Sequence, residues 1–299
     1  MRNLRWLGTA LLAAGLAIGT AGPVSGEPAG TTDITRLTVA KNMLDRAAAT
    51  RPESVTGWYV EPADRSLVVS VHGSADGVAE WAANQGAGTI EVEHVAEAPR
   101  LVWDLISGQE IHSGQIKCTL GFNAFSGASR VILSAGHCIS VASSWSGVGG
   151  YIGETGGFSF PGNDFGFISV QSPDAESTPL VDRYSAGSDV TITGHTTPTV
   201  GMSVCTSSPV GGWQCGPVTG INQTVCYPQG CINGLISVSM CAAPGSSGAP
   251  VVTNPGAGTT VRAVGLVSGS SGNCSSGGTT WVQPIAEALN MYGVTLYTG

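Results

Sequence analysis

The spacing of apolar residues changes near residue 100 and divides the chain into two regions. In the first region, apolar residues recur three or four positions apart in two stretches and lie in short strand-like runs in three others. The predicted order is helix, strand, strand, helix, strand, over residues 34–49, 55–60, 67–72, 74–84 and 89–95. Ser74 is placed to cap the second helix. The first region is therefore predicted to form a small α+β unit.

The second region consists of short apolar stretches separated by Gly, Asn, Ser and Pro. Strands at this spacing are typical of an antiparallel sandwich or barrel. The predicted strands cover 118–125, 131–134, 165–170, 190–194, 216–225, 235–240, 249–253, 261–268 and 279–283. A helix is predicted over 284–292, with Gly293 as its C-cap. The region is all-β apart from this helix and divides into two halves near 172–188.

The N-terminus has the pattern of a signal peptide. Arg2 and Arg5 precede an uncharged apolar run at 7–21, and small residues follow up to residue 26. The run is short for a membrane anchor, which is the alternative, and no later stretch is long enough to span a bilayer. The sequence thus predicts a signal peptide at 1–26 and a secreted, extracellular protein without a membrane anchor.

Composition excludes several classes of protein. Hydrophobic residues make up 42% of the 299 residues, so the chain is not disordered, and the net charge of -8 without a basic cluster argues against nucleic acid as a partner. All eight cysteines follow residue 117, and an even number in an exported chain predicts disulfides, with 105 pairings open. No C-x-x-C pair occurs, which argues against zinc; no cofactor or metal is expected.

The stretch Gly245-Ser246-Ser247-Gly248 is a candidate nucleophile turn. Two glycines let the backbone turn sharply, which can bring a serine hydroxyl and nearby N–H groups into one open space. A nucleophile beside an oxyanion site has this requirement. The alternative is an ordinary hairpin turn rich in glycine and serine. A base and an orienting group elsewhere in the chain would decide between them.

His137 and Asp164 are the candidate partners of Ser247. His137 follows an apolar strand and precedes a cysteine, whereas His112 and His195 are predicted to lie in polar loops. Asp164 stands directly before an apolar stretch, where it could orient an imidazole or merely serve as a turn residue. The chain order His, Asp, Ser is one of the known orders of the catalytic triad.

Residues 106–297 resemble the streptogrisin and α-lytic-type proteases, a bacterial branch of the chymotrypsin-fold serine peptidases. The matching motifs are CTLGFN at 118–123, LSAGHC at 133–138, NDFGFI at 163–168, VGMSVC at 200–205, GWQCG at 212–216, VTGINQTV at 218–225, GSSG at 245–248, SGSSGNC at 268–274 and QPIAEALNMYGV at 283–294. WYVEPADRSLVVSV at 58–71 resembles the propeptide of that family. The resemblance implies a propeptide at 27–105 and a protease domain at 106–299. This domain would hold two antiparallel six-stranded β-barrels, at about 106–180 and 181–299, and a C-terminal helix.

The resemblance also implies a role for each site residue. His137 would be the general base, Asp164 its orienter and Ser247 the nucleophile. The N–H groups of Gly245 and Ser247 would form the oxyanion hole, and Ser268 would hydrogen-bond the aspartate. Ser268, Gly269 and Ser270 would line the substrate cleft. The implied disulfides are Cys118–Cys138, Cys205–Cys215 and Cys241–Cys274, which leaves Cys226 and Cys231 as an additional pair.

The implied activity is that of a secreted, monomeric serine endopeptidase that acts on polypeptides and is matured by removal of its own propeptide. Val267 replaces the histidine of glutamate-specific relatives, and 240–244 and 267–271 carry no charge, so cleavage after large apolar or aromatic residues is expected. Ser246 departs from the family aspartate, whose buried ion pair shapes the oxyanion loop. Two alternatives are an impaired, peptide-binding relative and a serine esterase with the same triad.

Overall fold

The computed structural model describes residues 29–273 and 277–299. The signal peptide expected at 1–26 and Cys274, the expected partner of Cys241, lie outside the described residues. The chain divides into two compact units, of which the first ends at Pro99 and the second spans Arg100–Gly299. Within the described ranges, no helix combines the length and apolar character needed to cross a membrane.

The first unit is a three-stranded sheet with two helices. Its elements are α1 (Ala29–Arg46), β1 (Val55–Glu61), β2 (Ser66–Val71), α2 (Val78–Asn84) and β3 (Glu91–His94), with a short 3-10 helix at Ala48–Thr50. Strand β2 is central, antiparallel to β1 and parallel to β3. Leu44, Val69 and Trp81 belong to its buried core. The predicted α+β unit is therefore confirmed.

The start of α2 differs from the prediction. The helix begins at Val78, and its N-cap is Gly77 in the left-handed region with φ 74°. The Ser74 hydroxyl instead accepts a hydrogen bond from the N–H of Asp76, which closes a local turn before the helix. Ser74 is therefore a turn residue, and its prediction as the cap is wrong.

The second unit consists of seventeen described strands and two short helices. The helices are α3 (Gly136–Ile139) and α4 (Ile285–Tyr292), and a 3-10 helix covers Tyr184–Ala186. The strands are β4 (Trp103–Ser107), β5 (Glu110–Ser113), β6 (Ile116–Thr119), β7 (Phe122–Ser126), β8 (Ser129–Ser134), β9 (Ser144–Gly147), β10 (Gly150–Ser159), β11 (Phe165–Val170), β12 (Ala175–Val181), β13 (Val190–His195), β14 (Ser203–Ser208), β15 (Gly212–Tyr227), β16 (Gly230–Val238), β17 (Pro250–Thr253), β18 (Thr260–Asn273), β19 (Gly277–Pro284) and β20 (Thr295–Leu296).

These strands form two sheets. The first has the order β20-β7-β8-β11-β10-β9-β5-β6 and buries Phe122, Trp145 and Phe165. The second has the order β17-β14-β15-β16-β19-β18-β13-β12-β4, and β17 also pairs with β18, so six of its strands form a closed circle of pairings. Helix α4 follows β19 and ends at Gly293, which adopts φ 61° as its C-cap. The all-β class and the C-terminal helix are confirmed.

Strands β12 and β20 each pair in a different sheet from the strand that precedes them in the chain. Strand β12 begins at Ala175, before the expected division at residue 180, and pairs with β13 and β4 in the second sheet. The C-terminal strand β20 pairs with β7 in the first sheet. Most pairings are antiparallel, but β12–β4 and β13–β18 are parallel. The chain between 172 and 188 therefore crosses between sheets earlier than a division at 180 implies.

The stretch predicted as one strand over 118–125 is two strands, β6 and β7, separated at Gly121. A Cβ on Gly121 would lie 2.6 Å from the carbonyl oxygen of Leu133 and 2.7 Å from that of Gly248. Two backbone segments therefore approach this residue more closely than any side chain allows. The break brings Thr119 next to the Ser247 loop, where its N–H donates to the Ser247 carbonyl at 2.9 Å.

Candidate active site

His137 and Asp164 meet because they follow and precede neighbouring antiparallel strands. His137 lies in α3, just after β8, and Asp164 stands directly before β11, which pairs with β8. His137 Nδ1 lies 2.9 Å from Asp164 Oδ2 and 3.0 Å from Oδ1. The backbone N–H of His137 also donates to Oδ1 at 2.9 Å. Since Asp164 is only 1% exposed, its carboxylate is turned toward the imidazole and away from solvent.

Ser268 completes the surroundings of this carboxylate. It lies on β18 and donates a 2.6 Å hydrogen bond to Asp164 Oδ2. The phenolic oxygen of Tyr227, at the end of β15, lies 3.4 Å from Ser268 Oγ. Burial raises the pKa of Tyr227 above its ordinary value, so this hydroxyl keeps its proton near neutral pH. Residues of the second sheet thus support an aspartate of the first.

The loop that carries Ser247 lies against the segments that carry His137 and Ser268. The N–H of Gly248 donates to the carbonyl of Val267, next to Ser268, at 2.8 Å. A Cβ on Gly248, which has φ 82°, would lie 2.8 Å from the backbone nitrogen of Ala135, two residues before His137. Ser247 is therefore flanked by the segments that carry His137 and Ser268. Among the hydrogen bonds of the described residues, none joins the His137 ring to the Ser247 hydroxyl.

Two backbone N–H groups in this loop donate no hydrogen bond within the described part of the chain. The N–H of Ser246 donates to Ala243 O at 2.9 Å, and that of Ala249 donates to Ser246 O at 2.9 Å. The N–H groups of Gly245 and Ser247 donate no hydrogen bond to any described residue. The N–H groups of Gly245 and Ser247 are thus without an acceptor among the described residues, and backbone donors of this kind beside a nucleophile are what an oxyanion hole requires.

Ser246, which replaces the family aspartate, pairs with another serine. Its hydroxyl lies 2.9 Å from that of Ser208, and each residue is 1% exposed. Ser246 Oγ also lies within 3.4 Å of the Ala243 N–H, and Ser208 Oγ accepts from Gly211 N at 3.0 Å. A pair of neutral hydroxyls therefore stands at position 246, where the family aspartate would form a buried ion pair. Ser208 is 38 residues away in sequence, and no local motif identifies it.

A cleft of about 320 Å³ lies on the exposed side of His137. Tyr227 and Gln229 reach it from the β15–β16 hairpin, whose end is closed by the Cys226–Cys231 disulfide. Its lining is His137, Ser140, Val141, Phe160, Tyr227, Gln229 and Ser268. In the described part of the chain, no group of three or more His, Cys, Asp or Glu is arranged to hold a metal ion.

Ser270 joins the two segments that were expected to wall the specificity pocket. Its hydroxyl donates to the carbonyl of Ala242 at 2.8 Å. Gly269, between Ser268 and Ser270, packs against the Tyr227 ring: a Cβ there would lie 2.9 Å from its Cζ. Of the three residues predicted to line the cleft, Ser268 lines it, Gly269 lies against the cleft residue Tyr227, and Ser270 is hydrogen-bonded to Ala242.

The disulfides pair cysteines that are close in the sheets. Cys118 is bonded to Cys138, Cys205 to Cys215 and Cys226 to Cys231. These are two of the pairs implied by the family resemblance and the additional pair. Cys241 is also disulfide-bonded.

Comparisons with known proteins agree with this architecture. The sequence profile of the alpha-lytic protease prodomain matches residues 34–88. The chain is 38% identical to Streptogrisin-C of Streptomyces griseus over 267 residues, which cover 88% of this chain but 57% of that protein. It is 38% identical to Streptogrisin-A of the same organism, over 81% of this chain and 78% of the relative.

A solved structure resembles the second unit. The crystal structure of Nocardiopsis protease matches with a TM-score of 0.60 and 38% identity, and covers 66% of this chain and 100% of its own. The prodomain match, the relatives and the solved structure therefore all point to the same group of bacterial serine proteases. The chain belongs to the streptogrisin family of serine endopeptidases, with an α-lytic-type prodomain ahead of its chymotrypsin-like protease unit.

Proposed function

We propose that Ser247, His137 and Asp164 form the catalytic triad of a secreted endopeptidase. Ser247 Oγ attacks the carbonyl carbon of the scissile peptide bond while His137 takes the hydroxyl proton. His137 then gives this proton to the leaving amine, and water hydrolyses the acyl-enzyme by the same route. The observation that carries the proposal is the buried Asp164 carboxylate, which meets both the ring and the backbone N–H of His137.

The N–H groups of Gly245 and Ser247 would stabilise the oxyanion. Both are without a protein acceptor among the described residues, while their neighbours Ser246 and Gly248 are hydrogen-bonded. The negative charge that develops on the carbonyl oxygen would meet donors that need no rearrangement. Loss of one such donor costs roughly 2.7–4 kcal/mol of transition-state stabilisation.

The substrate side chain before the cut is proposed to be large and apolar or aromatic. The two segments expected to wall its pocket, 240–244 and 267–271, carry no charged residue. Met240, Ala242 and Val267 are buried apolar residues in these walls. Turnover of peptides that differ only at this position tests the proposal, and cleavage confined to sites after Arg, Lys or Glu would contradict it.

Maturation is proposed to remove the propeptide by a cut between Asp104 and Ser107, after export directed by residues 1–26. Strand β4 spans this segment. The Leu105 carbonyl accepts from Asn123 Nδ2 at 2.7 Å and from Thr178 Oγ1 at 2.9 Å. Because Leu105 is fully buried, a cut beside it requires β4 to leave the sheet. N-terminal sequencing of the mature form locates the cut.

Expression of Ser247→Ala alone tests the whole proposal. The variant is expected to accumulate full-length precursor, whereas the wild type is processed and cleaves peptide amides. Normal processing of Ser247→Ala would contradict self-maturation. Turnover of esters without turnover of amides would instead favour the serine esterase.

A further inference from the structure

Gln283, on strand β19 of the second sheet, is hydrogen-bonded to Asp164, which precedes strand β11 of the first sheet. It lies on β19, pairs with Leu266 of β18, and is fully buried. Its side-chain oxygen Oε1 accepts a 2.8 Å hydrogen bond from the backbone N–H of Asp164. The two residues are 119 positions apart in the chain. Gln283 therefore holds the backbone of Asp164, while Ser268 holds its carboxylate.

Glu287 sets the orientation of the Gln283 amide. Gln283 Nε2 donates to Glu287 Oε2, in the first turn of α4, at 2.7 Å. The backbone N–H of Asp164 can only donate, and an ionised carboxylate can only accept. The amide oxygen must therefore face Asp164 and its nitrogen must face Glu287. A reversed amide would place two donors against each other at one end and two acceptors at the other.

The Asp164 carboxylate must satisfy several donors at once. It accepts from the backbone N–H and ring of His137 on one side and from Ser268 on the other. Catalytic groups work only when their supporting contacts hold them to within about 0.5 Å. A backbone shift at Asp164 would misalign the carboxylate with the His137 ring before it affected any contact with substrate.

We infer that Gln283, oriented by Glu287, is a positioning residue that fixes Asp164 for its role toward His137. Gln283 acts through Asp164 and does not line the cleft. The inference rests on the proposed triad and adds a support that comes from β19 and α4. It predicts that a change at Gln283 alters kcat and the pH dependence of catalysis, with little change in KM.

The test compares Gln283→Met with Gln223→Met. Methionine keeps the length of the side chain and removes the acceptor of the Asp164 N–H. Gln223 is the matched control because its Oε1 also accepts one hydrogen bond, from Trp281 Nε1 at 3.2 Å. Trp281 lies on β19 like Gln283, but this contact does not involve Asp164. Gln283→Met is expected to lower kcat/KM roughly 5–30-fold, mainly in kcat, as loss of one hydrogen bond would. Gln223→Met is expected to leave kcat/KM within about twofold of the wild type, as a change outside the reacting groups would.

The pH profile separates positioning from plain loss of stability. A misaligned carboxylate stabilises the His137 imidazolium less, so the acid limb of kcat/KM should move to lower pH in Gln283→Met. A lowered thermal midpoint with unchanged kcat and unchanged acid limb in Gln283→Met would overturn the inference.

A spectroscopic measurement keeps the test independent of turnover. In full-length Ser247→Ala, the proton between His137 Nδ1 and Asp164 is expected to give a low-field NMR resonance. Adding Gln283→Met should shift or broaden this resonance, and adding Gln223→Met should leave it in place. An unmoved resonance with Gln283→Met overturns the inference about Gln283. Failure of the wild type to cleave peptides, with the resonance still responsive, would contradict the proposed function alone.

Discussion

The Ser246–Ser208 pair yields a quantitative prediction about the oxyanion loop. Both hydroxyls are buried at 1% exposure and lie 2.9 Å apart. Changing either serine to alanine leaves the other buried hydroxyl without its hydrogen-bond partner, which lowers the free energy of unfolding by about 1–3 kcal/mol. For a unit of this size, that loss lowers the thermal midpoint by roughly 2–12 °C. Removing both hydroxyls should cost less than the sum of the single changes, because no buried hydroxyl of the pair then remains.

The assay is a double-mutant cycle of Ser246→Ala, Ser208→Ala and the double variant, with thermal midpoints measured at one scan rate and kcat measured on a peptide amide. Ser246→Ala should lower kcat as well as stability, because Ser246 lies between the two proposed oxyanion donors. Ser246→Asp should destabilise the protein, because it would place a carboxylate at a position that is only 1% exposed. Additive single changes, or full stability and kcat in Ser246→Asp, would refute this reasoning.

Three further predictions concern the surroundings of the site. Replacing Cys226 and Cys231 together by serine should lower the free energy of unfolding by about 2 kcal/mol, the value for so short a loop, and lower the thermal midpoint accordingly. It should also raise KM, because the end of this hairpin lines the cleft. An unchanged midpoint and KM would count against this prediction. Gly248→Ala should abolish folding, because the residue has φ 82° and a Cβ would also meet backbone atoms, whereas Gly256→Ala, which has φ 57° but open space around it, should cost only the roughly 1–2 kcal/mol of left-handed backbone strain and still fold in the same thermal assay. Burial raises the pKa of Glu287 above 4.5, so its contribution to stability is present below that pH and is lost as pH rises through the raised pKa. The difference in thermal midpoint between Glu287→Gln and the wild type, taken as variant minus wild type, should therefore be more positive at pH 7 than at pH 4. An equal difference at both pH values would contradict this prediction.

Local sequence patterns were sufficient for the groups that the proposed chemistry uses. His137, Asp164 and Ser247 each stand in a short motif at the end of a strand, and their order identified a possible triad. Ser268 and two of the three described disulfides followed from the family resemblance, which left Cys226 and Cys231 as the additional pair. The α+β character of the first unit followed from apolar spacing, because each of its elements is short, local and amphipathic.

The supporting contacts made by Gln283 and Ser208 were not predictable, because they join residues far apart in the chain. Gln283 reaches Asp164 across 119 positions, and Ser208 reaches Ser246 across 38. Neither contact leaves a pattern in its own segment: Ser208 is one serine among many, and Gln283 lies in a strand before a helix. Only the register of the strands and the crossing of the chain between sheets bring these partners together. The same reason explains why the break at Gly121 was missed, since the atoms that require glycine there come from other strands.

Covalent labelling with a fluorophosphonate tests the central proposal most directly. The reagent is attacked only by a serine that is activated by a base and adjoins an oxyanion site. The mature wild type should be labelled once, with the added mass on the peptide that contains Ser247, and His137→Ala should lose the label while remaining folded. Absence of labelling in folded mature protein, or labelling at a serine other than Ser247, would contradict the proposed triad.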